Sequence, residues 1–265
     1  MEILSYPFVQ NALAGILLVS IVSAIIGTYI VTRRMTFIAG GITHACFGGL
    51  GLGYFLGISP VAMAGMFAVG ASLGVEWMST MAKIREDSAI SVVWALGMAI
   101  GTLFIFLTPG YVPELSSFLF GNILTITRAD LMAFAIYAAV LIAFFALQFR
   151  TVIACTFDRD FARTINLPVV AVNYIMTILV ALCIVLTIRL IGIMLLMSMF
   201  TMPQLIAESY SRQFKGIMLI SVAVSIVCSI IGLAAAFFID VPVSATIVIT
   251  LAVAFAASRL FNALR

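Results

Sequence analysis

Nine apolar runs follow one another along this chain with only short polar joints between them. They cover approximately residues 8–31, 36–57, 60–81, 88–108, 129–149, 169–187, 191–207, 216–239 and 244–261. A helix needs about 20 predominantly apolar residues to cross the hydrocarbon core, and a helix satisfies its own backbone there. Of the 265 residues 65% are hydrophobic and 9% are charged. A water-soluble domain carries about a quarter charged residues, so this chain has too few to coat a surface. The expected fold is all-α: a polytopic integral membrane protein of about nine transmembrane helices, with eight as the alternative count. It is read as a single transmembrane domain over residues 1–265, with no linker and no strict repeat. The first run is too long for a signal-peptide core and has no basic segment before it, so it reads as a retained span.

The basic residues give the expected orientation. With the N-terminus outside and the C-terminus cytoplasmic, Arg33, Arg34, Lys83, Arg85, Arg150, Arg159, Arg163, Arg212, Lys215, Arg259 and Arg265 fall inside. Only Arg128 and Arg189 fall outside, the asymmetry that cytoplasmic loops show. Residues 111–127, apolar but too short to span, read as an external or half-inserted segment. The basic residues form no patch, which excludes a nucleic-acid partner and leaves the lipid bilayer as the surrounding medium.

The second run, "TFIAGGITHACFGGLGLGYFLG", holds the only histidine of the chain, His44. Gly41, Ala45, Gly49, Gly53 and Gly57 recur every four residues, a spacing that lets another helix approach closely in lipid. That helix belongs either to the same chain or to a second subunit. Gly40 and Gly48, one turn either side of His44, leave its imidazole uncovered on this reading. His44 lies about ten residues from Arg34, near mid-depth at about 1.5 Å per residue. An ionisable group there is a functional-site candidate. It is either a neutral ring bonded to a carbonyl or a ligand for a transition metal. One histidine makes no metal site, but two copies across a two-fold axis bring two.

Other polar residues at membrane depth are few. Glu76 reads as snorkelling toward the cytoplasmic face past Lys83, and Glu208 as a solvated rim. Asp240, in "FFIDVPVSATIV", either caps the following helix or lines an external vestibule open to cations. Met194, Met197, Met199 and Met202 read as adaptable packing. Cys46, Cys155, Cys183 and Cys228 make no CxxC pair.

The longest internal polar stretch is "TFDRDFARTINLP". Phe157, Phe161 and Ile165 share one helical face, Asp158 and Asp160 fall in the first turn, where carboxylates suit the helix dipole, and Pro168 closes the stretch. A short amphipathic helix at the membrane surface is expected, either a linker or a docking element for a cytoplasmic partner. A partner is expected because the chain has no phosphate-binding GxxxxGK[ST] of its own. It also has no HExxH, and one histidine cannot support a multi-histidine metalloenzyme site, so no enzyme activity is expected.

Taken together, "RRMTFIAGGITHACFGGLGLG", "KIREDSAISVVWALGMAIG", "SSFLFGNIL", "FDRDFARTINLPV", "RLIGIMLLMSMFTMPQLIAE" and "FFIDVPVSATIVI" resemble the permease subunits of bacterial ABC importers for zinc, manganese and iron. The resemblance covers nearly the whole chain. It implies a multi-pass protein of the bacterial plasma (inner) membrane, working as a homodimer or with a homologous permease. Cytoplasmic ATPase subunits and an extracytoplasmic metal-binding protein would be its partners. The metal would be cargo, zinc first and manganese or iron next, with no permanently bound cofactor. Asp158, Arg159, Asp160, Phe161, Arg163 and Asn166 would form the coupling helix for the ATPase. Gly40, Gly41, Gly48, Gly49 and Gly53 would pack the pathway and dimer. Many relatives carry Asp-x-x-x-His in the second span, both side chains being implicated in holding the metal. The histidine maps to His44, and Gly40 stands at the aspartate position. Loss of that hard oxygen donor favours zinc over manganese and leaves His44 as either ligand or gate. The rival reading is a self-contained metal channel or ion-driven carrier.

Overall fold

The computed structural model describes residues 6–109, 121 and 123–264. Most of the segment expected over 111–127 lies outside them. Each of the nine apolar runs is helical. The helices are α1 (Pro7–Thr32), α2 (Thr36–Leu56), α3 (Pro60–Thr80), α4 (Glu86–Leu107), α5 (Arg128–Phe157), α6 (Arg159–Thr164), α7 (Val169–Ile191), α8 (Ile193–Met199), α9 (Met202–Glu208), α10 (Phe214–Ile239) and α11 (Val243–Ala263). Among the described residues, α1, α3, α4, α5, α7, α10 and α11 are long and apolar enough to cross a membrane. Two of the nine runs differ. Helix α2 has the length, but six glycines, two threonines and His44 dilute its hydropathy. The run 191–207 is not one span but two seven-residue helices, α8 and α9, with the chain breaking at Phe200–Thr201 before Pro203. A proline cannot donate to the preceding turn, so a helix restarts there more readily than it continues.

The helices fall into two compact units. The first comprises residues 1–32, 115–143 and 186–265: α1, the first half of α5, the end of α7, and α8 to α11. Its most enclosed element is α1, 78% of whose spanning window is buried against 22% for α11, so α1 is central and α11 peripheral. At one end of this unit Thr127 and Asp130 cap α5 reciprocally. The Thr127 hydroxyl donates to Asp130 at 2.6 Å and accepts from the Asp130 N–H at 3.2 Å. Asp130 also pairs with Arg189 at 2.7 Å, so one of the two exceptions to the charge asymmetry is neutralised within the fold.

The second unit comprises residues 33–114 and 144–185: α2, α3, α4, the second half of α5, α6 and most of α7. Here α2 is the core. Ser59 caps α3 by accepting from Ala62 N, with Pro60 at the first helical position. Helix α5 is interrupted near the start of this unit, where Gln148 leaves the helical region (φ −112°, ψ 15°).

Candidate functional site

Helices α2 and α4 cross at very short range. A methyl group at Gly97 of α4 would collide with the backbone of Ala45, and one at Gly101 with the carbonyl of Phe47. Gly51 faces Gly101, and Gly41 faces Ile90, also on α4. Gly49 and Gly53 instead meet the backbone of Met63, Ala64 and Pro60 at the start of α3. Of the two readings of the glycine ladder, packing within the chain is the one these positions realise. Gly40 is buried on the same helix.

The close approach of α4 brings Trp94 onto His44. The ring centroids are 4.3 Å apart and the planes 11° apart, and the Phe47 ring lies 5.7 Å from the imidazole, tilted by 31°. The expectation that Gly40 and Gly48 leave the imidazole uncovered is therefore corrected. Gly48 faces Phe67 and Gly97, and an indole from α4 covers a face of the ring. Nδ1 of His44 is enclosed with no hydrogen-bond partner, while the residue as a whole stays partly exposed. Among the described residues, no three His, Cys, Asp or Glu side chains gather to hold a metal ion. One chain supplies part of a coordination shell at most.

A second polar group forms at the α6 end of the same unit. Glu76 does not snorkel out, as the sequence suggested. It is 3% exposed and within hydrogen-bonding range of Asn173 and Thr177 on α7. Arg33 lies near enough for its charge to act on this buried carboxyl. Glu86, the first residue of α4, is shared. Its Oε1 accepts from Arg33 Nη2 at 3.2 Å and from Arg159 Nη2 at 3.1 Å.

Arg159 opens the amphipathic helix expected from "TFDRDFARTINLP". Asp158 caps it by accepting from Phe161 N at 2.8 Å. Asn166 ends it in the left-handed region (φ 58°), with Leu167 N bonded to Ala162 O at 2.9 Å and Asn166 N to Arg163 O at 3.0 Å. This is the double-bonded terminus that asparagine tolerates. Asp158 and Asn166 therefore define the ends of α6. Asp160 and Arg163 form an exposed pair at 3.6 Å, worth little in water. Of the three apolar residues expected on one face, only Phe161 lies within α6, Phe157 ending α5 and Ile165 following α6; they are 56%, 60% and 48% exposed, so the apolar side around α6 is open.

In the first unit, Asp240 takes the left-handed position that ends α10 (φ 58°, ψ 51°). It does not cap the following helix, as one expectation had it. Pro242 holds that place, and no side chain caps α11. Gln204 of α9 was not singled out from the sequence. It is fully buried, and its Nε2 donates to Ser23 O at 3.0 Å and Met199 O at 3.1 Å, tying the broken segment to α1. Gly192 (φ 79°, ψ 171°) starts α8 in a conformation essentially restricted to glycine. The methionines of this segment do not share one environment, Met199 being buried and Met194 exposed.

A multi-pass bundle of apolar helices, with a lone imidazole inside it and a short polar helix with an open apolar side, has the make-up of a membrane permease. The chain belongs to the ABC 3 transport family, which it matches over residues 5–262. It is 35% identical to a probable metal transport system membrane protein of Chlamydia pneumoniae, covering 90% of this chain and 84% of that one. It is 30% identical to a probable iron transport system membrane protein of Haemophilus influenzae, covering 100% and 97%. Its fold is similar to that of PsaBC from Streptococcus pneumoniae, solved in complex with a Fab. The TM-score is 0.82 and the identity 26%, over 96% of this chain and 91% of that one. The protein is thus a permease subunit of a bacterial ABC transport system, a multi-pass membrane protein and not an enzyme. Such a system implies ATPase and binding-protein partners.

Proposed function

We propose that the protein is the membrane-spanning permease of an ATP-driven importer of divalent metal ions, with His44 as a contact on the ion's path. The observation that carries this reading is the His44 imidazole, stacked on Trp94, partly exposed, and with Nδ1 lacking a hydrogen-bond partner. Membership of an ABC family sets aside the self-contained channel and the ion-driven carrier. Two copies of the chain would bring two imidazoles and complete what one cannot. Zinc suits such a nitrogen-only pair, since Gly40 contributes no hard oxygen. Manganese and iron are the rival cargoes, iron being carried in the name of the Haemophilus relative and manganese in that of a Listeria monocytogenes relative. Asp240 has a backbone reason for its place, and a cation vestibule there is the secondary reading.

Residues 1–265 act on this reading as one permease domain. Helix α2 and the α8–α9 pair cross the membrane with the seven longer helices, giving nine passes, the N-terminus outside and the C-terminus in the cytoplasm. The α6 face bearing Phe161 then meets the ATPase. The test is uptake of labelled zinc, iron and manganese into vesicles holding the full transporter, at matched protein levels. His44→Gln keeps size and hydrogen bonding but is a much poorer metal ligand, and should lose at least about nine-tenths of uptake. Normal uptake of every ion by this variant would return His44 to a structural role.

A further inference from the structure

We infer that Arg159 and Glu86 form the joint through which movement of α6 reaches the helix pair carrying His44. This rests on the reading of α6 as the ATPase-facing element. Glu86 is the first residue of α4, and Arg33 lies three residues before α2. One carboxylate oxygen therefore ties the starts of both helices to α6. The two holds are unequal. The Arg33 side chain is 4% exposed and Glu86 26%, whereas Arg159 is 36% exposed. An enclosed guanidinium keeps its carboxylate, because parting them would leave charge in a poorly solvated place. Arg159, at the wet margin, separates into water at little cost. The joint has a fixed arm and a releasable one.

The elements beyond the joint are built to move together. Gly97 and Gly101 bring the α4 backbone directly against that of α2, so the two helices pack as a close pair. Trp94 lies eight residues into α4 from Glu86, about 12 Å at helical rise, and stacks on His44. Glu76 of α3, held by Asn173 and Thr177 of α7, lies within the electrostatic reach of both Arg33 and Glu86. A displacement of α6 that breaks the 3.1 Å Arg159 contact leaves the Arg33–Glu86 pair in place. One that keeps the contact carries α2 and α4 along. The Arg159–Glu86 contact therefore acts as a positioning pair for transport, acting through these helices on His44 rather than touching the ion.

The experiment uses the complete transporter in vesicles and reads three quantities: ATPase copurification, ATP turnover, and metal ions taken up per ATP hydrolysed. Arg159→Gln keeps the Arg33–Glu86 pair and carries the test. Copurification should stay within about twofold of the parent, and ions per ATP should fall about tenfold or more. Arg159→Lys, which keeps a charge within reach, should recover at least half of that ratio. Glu86→Gln, which also weakens the Arg33 arm, should lower the ratio at least as far as Arg159→Gln does, and the double variant should be no worse than Glu86→Gln alone, as expected of two residues in one contact. An unchanged ratio in Arg159→Gln overturns the proposal. So does lost copurification, which would make Arg159 a docking contact, or a multiplicative loss in the double variant. Failure of the α6 reading registers separately, as unchanged copurification in Phe161→Asp.

Discussion

Trp94 stacks on His44 with ring centroids 4.3 Å apart and planes inclined by 11°, joining α4 to α2 at the only histidine of the chain. Such aromatic pairs contribute about 0.5–1.5 kcal/mol and restrict how the smaller ring turns. Trp94→Leu removes the stack while keeping an apolar side chain. Uptake should fall by about 2- to 10-fold, since about 1.4 kcal/mol corresponds to tenfold in rate. Trp94→Phe should fall less. Vesicle uptake at matched protein levels reads this, and an unaltered rate in Trp94→Leu would mean that ring orientation is not used.

The α2–α4 crossing makes a sharper prediction about stability. A Cβ at Gly97 would meet Ala45 backbone and, at 3.1 Å, the carbonyl oxygen of His44, with backbone rather than a flexible side chain in the way. Gly97→Ala should therefore destabilise by about 1–3 kcal/mol, the range for overpacked interiors. Gly70 on α3 has nothing within 4 Å of the same position. There the substitution should be neutral or stabilising by about 0.5–1 kcal/mol, because alanine loses less backbone freedom on entering a helix. Thermal melts of the two variants in one detergent compare them directly. Equal behaviour would refute the close approach.

What was legible in the sequence followed from composition and from one-dimensional period. Hydropathy marked all nine helical runs, and the spacing of Phe157, Phe161 and Ile165 marked the short helix α6, but Asp158, read as part of its first turn, is the cap before it, and Asn166 takes the left-handed place at its end. Partners distant in sequence were not. Nothing in "SVVWALG" says that Trp94 reaches His44, since the two are fifty residues apart and are joined only by the α2–α4 crossing. Glu76 was misread for the same reason: its distance from Lys83 suggested an escape to the surface, while Asn173 and Thr177 on a remote helix retain it. The break between α8 and α9 had a local sign in Pro203, but Gln204, which holds the break, has no local reason to be buried.

Gln204 gives the third prediction. Its amide makes two buried hydrogen bonds, to Ser23 O and Met199 O, and its Oε1 has no partner. Gln204→Leu keeps much of the volume but leaves two carbonyls without this donor. A loss of about 1–3 kcal/mol is expected for buried groups deprived of a partner. Gln204→Glu should be worse, because a carboxylate cannot donate to either carbonyl and would carry charge into a fully buried place. Melting temperature should rank parent above Leu above Glu. A Glu variant as stable as the parent would mean that water or a cation reaches this position.

Asp240 separates a backbone role from a cation role. It ends α10 in the left-handed region (φ 58°), which costs a residue with a Cβ about 1–2 kcal/mol and costs glycine almost nothing. If the backbone position is its whole role, Asp240→Gly should melt at or above the parent temperature, and Asp240→Asn close to it, because asparagine also tolerates this conformation. Metal uptake should then be unchanged in both. The carboxylate is exposed, so removing its charge exposes no buried partner. If uptake drops in both variants while their melts match the parent, the lost charge is the cause, and Asp240 belongs to a vestibule that gathers cations before they meet His44.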